Sequence, residues 1–274
     1  MNRLVSLRHL HLPGLTPYLR ASAIQEYLVQ VQLDHKAAEP ILPAPSPVLI
    51  TFQTTPTYTT GRREAPYLTV SQIAHLRADG KAEYHPALRG GQTTFHGPGQ
   101  VTAYLVLNLK AHSLDVRSHV KLLEESTIGT CAHYGLDTFT TSNPGVWTGP
   151  RAGERKLASL GVHVRKRITS HGLGINVGVD LEWFDRIVMC GLKGMRATNI
   201  ERETEARVAD GEISIRGVAD TLAGNVAKRL AGVDGRVENV AEMDVWPGEA
   251  LTEERDCADR HCTDRHYANR NHVL

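Results

Sequence analysis

The sequence predicts an α+β fold. Three observations carry that expectation. Several segments alternate with the period of a strand, two long stretches carry apolar residues at helical spacing, and the two kinds do not alternate strictly along the chain. At 274 residues, the chain can bury one substantial core without covalent staples.

Residues 1–25 contain Arg3, Arg8 and Arg20 and no acid before Glu26. That bias suits a transit-type presequence. Leu4, Leu7 and Leu10 suit a first strand equally well. Pro17, a good first-turn residue, precedes Ile24, Tyr27, Leu28 and Val31, which predicts a helix over 17–33. Four prolines between Glu39 and Pro47 exclude a regular element there. Val48–Phe52 and Tyr104–Leu109 read as buried strands, and the threonine-rich stretch 53–64 as strand or loop. A helix over 118–134 places Val120, Leu123, Thr127, Cys131 and Tyr134 on one face and stops at Gly135. A second, over 213–231, does the same with Val218, Leu222, Val226 and Leu230 ahead of Gly232. From about Leu251 the sequence is charged and histidine-rich, which predicts one domain over 1–250 and a tail over 251–274.

Composition narrows the function classes. Hydrophobic residues make up 41% and charged residues 22%, an ordinary globular balance. A net charge of +1, from 31 basic and 30 acidic residues, argues against a dedicated nucleic-acid binder. The longest apolar run, Ala103–Leu107, is too short to span a membrane, so neither nucleic acid nor membrane is expected as a partner. Cys131, Cys190, Cys257 and Cys262 are too few and scattered to staple the fold, which points to free thiols.

Four segments could carry chemistry. In Arg89–Gln100, glycines and prolines interleave with Arg89, Gln92, His96 and Gln100, the composition of a loop whose backbone approaches a ligand. A plain hairpin is the alternative, and the loop lacks the lysine of a phosphate-binding motif. Lys156–Val164 alternates as a strand, with Ala158, Leu160, Val162 and Val164 apolar and Lys156 on their parity. A lysine aimed at a core is costly unless paired; otherwise the strand begins after Lys156, which snorkels out. Gly172–Val179 alternates too, and its nearly bare face of Gly172, Gly174 and Gly178 leaves either room for a ligand or tight packing. Cys190, followed by glycine, could set a thiol beside an exposed N–H, although most free cysteines are buried hydrophobes.

Together and in this order, RGGQTTFHGPGQ, GVWTGPRAGERKLASLGVHVRKRITSHGLGINV and DRIVMCGLKGMRATNI resemble the lipoyl(octanoyl) transferases over about Leu7–Leu230. The resemblance implies the α+β fold shared with biotin- and lipoate-protein ligases, a mixed β-sheet flanked by helices. It implies octanoyl transfer from octanoyl-acyl carrier protein to a lysine of lipoyl domains, those of 2-oxoacid dehydrogenase E2 subunits and of glycine cleavage H protein. Cys190 falls on the family's acyl-thioester cysteine and Lys156 on its active-site lysine, 34 residues earlier (190 − 156). Arg89, Gly90, Gly91, Gln92, Thr93, Thr94, Phe95, His96, Ser159, Leu160, Gly161, Gly172, Leu173 and Gly174 fall on its substrate-binding segments. Met189 stands where members often carry proline. Neither cofactor nor metal is implied, although Cys257, His261, Cys262 and His266 have zinc-compatible spacing. The resemblance to fungal members implies a mitochondrial location, or a cytoplasmic one in a bacterial source. An ATP-dependent ligase on the same fold and a non-catalytic lipoyl-domain binder are the alternatives. The basic run from Arg151 to Arg167, at +5, is expected to rim the site mouth and steer acidic partners.

Overall fold

Alternating side chains sort the main sheet onto two apolar faces, and each face has its own helical cover. The computed structural model describes residues 5–38, 44–150, 153–188, 194–204 and 213–248. Cys190, Arg151, most of the proline-rich stretch and the whole tail, with its Cys/His spacing, lie outside those residues.

In chain order the elements are β1 (Val5–Leu15), α1 (Tyr18–Ala37), β2 (Val48–Gln53), β3 (Thr57–Gly61), α2 (Val70–Leu76), β4 (Glu83–Ala87), β5 (Thr94–His96) and β6 (Gln100–Val106). They continue with α3 (Val116–His133), β7 (Val146–Thr148), β8 (Arg155–Arg165), β9 (Ile168–Asn176), β10 (Arg196–Ala197), α4 (Ile200–Thr204), α5 (Ile215–Arg229) and β11 (Val233–Asn239). The main sheet runs β10-β8-β9-β6-β2-β1-β11, with β7 also paired to β8, and a small sheet runs β4-β3-β5. Both are mixed. β1 lies parallel to β2 and β11, whereas β2, β6, β9 and β8 are successively antiparallel.

On β6, Val101, Ala103 and Leu105 point into the core beneath α3 and α5, while Tyr104 and Val106 join the cluster beneath α1. On β2, Leu49 goes one way and Val48, Ile50 and Phe52 the other. Residues 5–15 are thus a sheet strand, paired on both sides.

Three expectations shift. The strand foreseen at 104–109 begins at Gln100 and ends at Val106, because Asn108 caps a short 3-10 turn by accepting from the Lys110 amide. A reciprocal capping box between Asp115 and Ser118 starts α3 at Val116. Its buried face centres on His119, Leu122, Leu123, Ser126, Thr127, Thr130 and Cys131, leaving Val120 and Tyr134 at the edges. In α5, Val218, Leu222 and Val226 are buried as expected, joined by Ala219, Ala223 and Ala227.

The small sheet is held against the glycine loop by contacts too close for a side chain. A Cβ added at Gly61, the last residue of β3, would lie 1.9 Å from the Gly91 carbonyl oxygen. Gly61→Ala is expected to cost about 1–3 kcal/mol through overpacking. Urea unfolding monitored by far-UV circular dichroism measures it, and an unchanged midpoint would contradict the close approach.

Candidate active site

The middle of the main sheet forms the floor of a cleft of about 240 Å³. Register sets out the floor in two rows. Thr102 on β6 faces Gly174 on β9, which faces Ser159 on β8; the next row is Tyr104, Gly172 and Gly161. The glycines of this floor do not leave open space. A Cβ at Gly172 would clash with the Ala103 carbonyl, one at Gly174 with the Gln100 side chain, and one at Gly178 with the Glu201 carboxylate. The bare strand face read from the sequence is therefore mainly close packing, and the cleft lies over its backbone at Gly172–Gly174.

Lys156 reaches the cleft by a register shift. Trp147 on β7 pairs with Lys156 and Val146 pairs with Ala158, so β8 carries one extra residue, Leu157. Leu157 and Ala158 both enter the core, and Lys156 turns to the cleft face instead of the apolar one its parity foretold. Its side chain is 5% exposed; Nζ donates to the Pro144 carbonyl at 2.9 Å and stands 5.0 Å from the centre of the Trp147 ring. Gly145 makes room for it, since a Cβ there would lie 2.7 Å from Lys156 Cε.

The glycine loop forms the opposite wall, and Arg89 shapes it. Nε and Nη2 donate to Thr59, Nη1 to the carbonyls of Gly90 and Gln92, so all five guanidinium donors are engaged within the protein. Gly91, Gln92, Thr93 and Thr94 line the cleft with Leu160 and Leu173. Gly90 and Phe95 do not. Gly90 donates its amide to Val162 O, and the Phe95 ring turns away to stack on Trp183 at 5.0 Å beside Tyr58 and Phe184. Neither of these two expected contact residues lines the cleft in this structure.

His96 is oriented by a chain of amides. Asn176 Nδ2 donates to the Thr198 carbonyl, so its oxygen accepts from Gln100 Nε2, whose own oxygen faces His96 Nδ1 at 2.8 Å. Nδ1 must then carry the proton, leaving Nε2 as an acceptor. Burial, with Arg89 nearby, pushes the His96 pKa down to about 4. His171, under burial, Arg89 and two other histidines, falls to about 3. Cys131 is no rival nucleophile, for burial raises its thiol to about 12.

Among the described basic residues of the run, only Lys156 lines the cleft. Arg155 is held bidentately by Glu203, and Arg165 by Glu26 at 2.6 Å. Lys166 and Arg167 form the β8–β9 turn with φ of 49° and 72°, ten and eleven residues and roughly 30 Å along the chain from Lys156. Other cleft residues had escaped sequence reasoning. Tyr104 reads as strand core, and Asn143-Pro144-Gly145 carries only the signal of a turn.

Residues 17–227 match the family described as the lipoyl protein ligase A/B catalytic domain. A Schizosaccharomyces pombe protein named probable octanoyltransferase is 44% identical, over 68% of this chain and 81% of its own. The Danio rerio mitochondrial octanoyl-[acyl-carrier-protein]:protein N-octanoyltransferase is 36% identical, over 76% and 87%. In fold, a bi-partite lipoate protein ligase from Thermoplasma acidophilum superposes with a TM-score of 0.57 at 17% identity, over 92% of this chain and 95% of that one. The fold is the lipoate-protein ligase one that the sequence led us to expect. The chain belongs to the octanoyltransferases of the lipoyl protein ligase A/B family.

Buried imidazoles make stability pH-dependent. His9, His96 and His119 are each lowered to about 4 and His171 to about 3, all chiefly by burial. Such a ring stays neutral in the fold and takes a proton only on unfolding. The stability it contributes is whole above its ordinary value near 6.5 and erodes as pH falls toward 4. Urea unfolding should lose at least about 2 kcal/mol between pH 7 and pH 5, from about 1.4 kcal/mol per displaced unit. No loss would show that these rings are not buried neutral.

Proposed function

We propose that this octanoyltransferase works through an octanoyl thioester on Cys190, with Lys156 moving the protons. One observation carries the reading. β10 runs parallel to β8, with Ala197 paired to Lys156 and the Thr198 amide donating to the Lys156 carbonyl at 2.9 Å. Cys190 precedes Ala197 by seven residues (197 − 190), a span of chain short enough for the cysteine to meet the lysine.

The reaction is two acyl transfers. The Cys190 thiolate attacks the donor's thioester carbonyl and expels the carrier thiolate, which takes the proton of the Lys156 ammonium; an ordinary cysteine is only a few per cent thiolate at neutral pH. An ammonium about 4 Å away contributes about 4 kcal/mol of gross attraction at an effective dielectric near 20, part of it lost to desolvation. The acceptor lysine's amine then attacks octanoyl-Cys190, and Lys156 as a neutral amine receives its proton. The slot along Ser159–Gly161 and Gly172–Gly174 holds the chain, and the loop 91–94 with His96 closes it. Octanoyl transfer in lipoylation needs an acyl donor and lipoyl-domain acceptors. We assign octanoyl-acyl carrier protein as the donor, and the lipoyl domains of 2-oxoacid dehydrogenase E2 subunits and glycine cleavage H protein as acceptors. A mitochondrial location agrees with the name of the Danio rerio relative.

The test is transfer from octanoyl-acyl carrier protein to a lipoyl domain without ATP. Wild type should transfer and Cys190→Ala should not; a variant retaining most of its activity would remove Cys190 from the reaction. Lys156→Ala should keep a slow rate that rises with pH, where the thiol ionises unaided, and a flat profile would give Lys156 another role. Gly145→Ala, whose Cβ would lie 2.4 Å from the Ala158 carbonyl oxygen and 2.7 Å from Lys156 Cε at a φ of 126°, should shift the strand and the lysine together and slow transfer about a hundredfold, the penalty for a 1 Å misplacement. Unchanged kinetics there would mean that the position of Lys156 does not matter.

A further inference from the structure

His171 breaks the rules of the strand that holds it. It lies inside β9, pairs with Val162 and is 6% exposed, yet its φ is 59°, a left-handed value costly for a residue with a Cβ. The amide is fixed there by Gln25 Oε1 from α1, itself buried. The turn of the backbone has one visible result. The imidazole lines the cleft, edge-to-face with Tyr104 at 5.3 Å and 72°. Tyr104 is 3% exposed, shares a hydrogen bond with the Tyr18 hydroxyl and packs edge-on against Phe52 at 5.2 Å. Strained backbone in a buried site points from geometry to function.

The place of this pair along the cleft gives it a task. Lys156 stands at one end of the floor, and the Tyr104–Gly172–Gly161 row lies five residues further along β8, roughly 15 Å away. With the reacting carbonyl at Lys156, the methyl end of the acyl chain points toward that row. We propose that Tyr104 and His171 form the end wall of the acyl slot and set the longest chain this octanoyltransferase accepts. The inference rests on the octanoyl-transfer reading above. Tyr104 belongs to the core cluster beneath α1, and Gln25 of that helix holds the His171 amide. Low basicity keeps the His171 ring uncharged against an alkyl terminus.

Octanoyl, decanoyl and dodecanoyl pantetheine thioesters test it, with kcat/KM for enzyme acylation read for each chain. In wild type, decanoyl should fall at least tenfold below octanoyl, because two further methylenes find no space. His171→Gly suits the left-handed backbone and removes the ring; Tyr104→Ala opens the wall from the other side. Each should raise the decanoyl-to-octanoyl ratio about tenfold or more, since a buried methylene is worth about fourfold. An unchanged ratio in both variants would overturn the proposal, as would wild-type enzyme that takes decanoyl as readily as octanoyl. Neither result would touch octanoyl transfer itself. Wild-type enzyme that accepts no acyl donor at all would instead overturn the functional reading, and this inference with it.

Discussion

The extra residue at Leu157 is the constraint on which the site depends. An eleven-residue strand cannot serve core and cleft with strict alternation if a lysine must enter the cleft just before two residues that fill the core. The shift against β7 resolves this by giving the core both Leu157 and Ala158 and sending Lys156 the other way. A buried ammonium needs compensation, and the same turn provides it through the Pro144 carbonyl and the Trp147 face. Gly145 then follows as a necessity of volume.

Close approach is the second theme. Gly61, Gly161 and Gly172 each let one backbone touch another where a methyl group would collide. The glycine loop is thereby clamped between the small sheet and β8. Arg89 draws it into shape with five donors aimed inward, a use of guanidinium that a lysine could not replace. Its role is architectural: it builds the wall that the substrate meets.

These facts mark what the sequence could disclose. Helix α5, with its clear periodicity and Ser214 cap, was legible, and so were α1 from its apolar spacing, the buried strand β2 and the alternating strand β8. The motifs named most of the residues that line the cleft. Facing was not legible, because a one-residue shift leaves composition and period untouched while reversing a side chain. The glycine face suggested room, but sequence cannot tell a ligand from a neighbouring strand. His171 carries no local mark of its left-handed backbone, which comes from Gln25, 146 residues away. Phe95 sits in the middle of a binding motif yet packs elsewhere, because its aromatic partners come from Trp183 and Phe184 far along the chain. The basic run looked like one patch, but a strand sets its two ends far apart and acidic partners hold Arg155 and Arg165.

The proposed reaction requires one covalent species, octanoyl-Cys190. Wild-type enzyme mixed briefly with octanoyl-acyl carrier protein, quenched in acid, digested and mapped by mass spectrometry reads it directly. The expected result is a single octanoyl group on the peptide containing Cys190, labile to hydroxylamine and lost when a lipoyl domain is added. Octanoyl on another residue, or complete transfer to the lipoyl domain with no acyl-enzyme on any timescale of turnover, would contradict it.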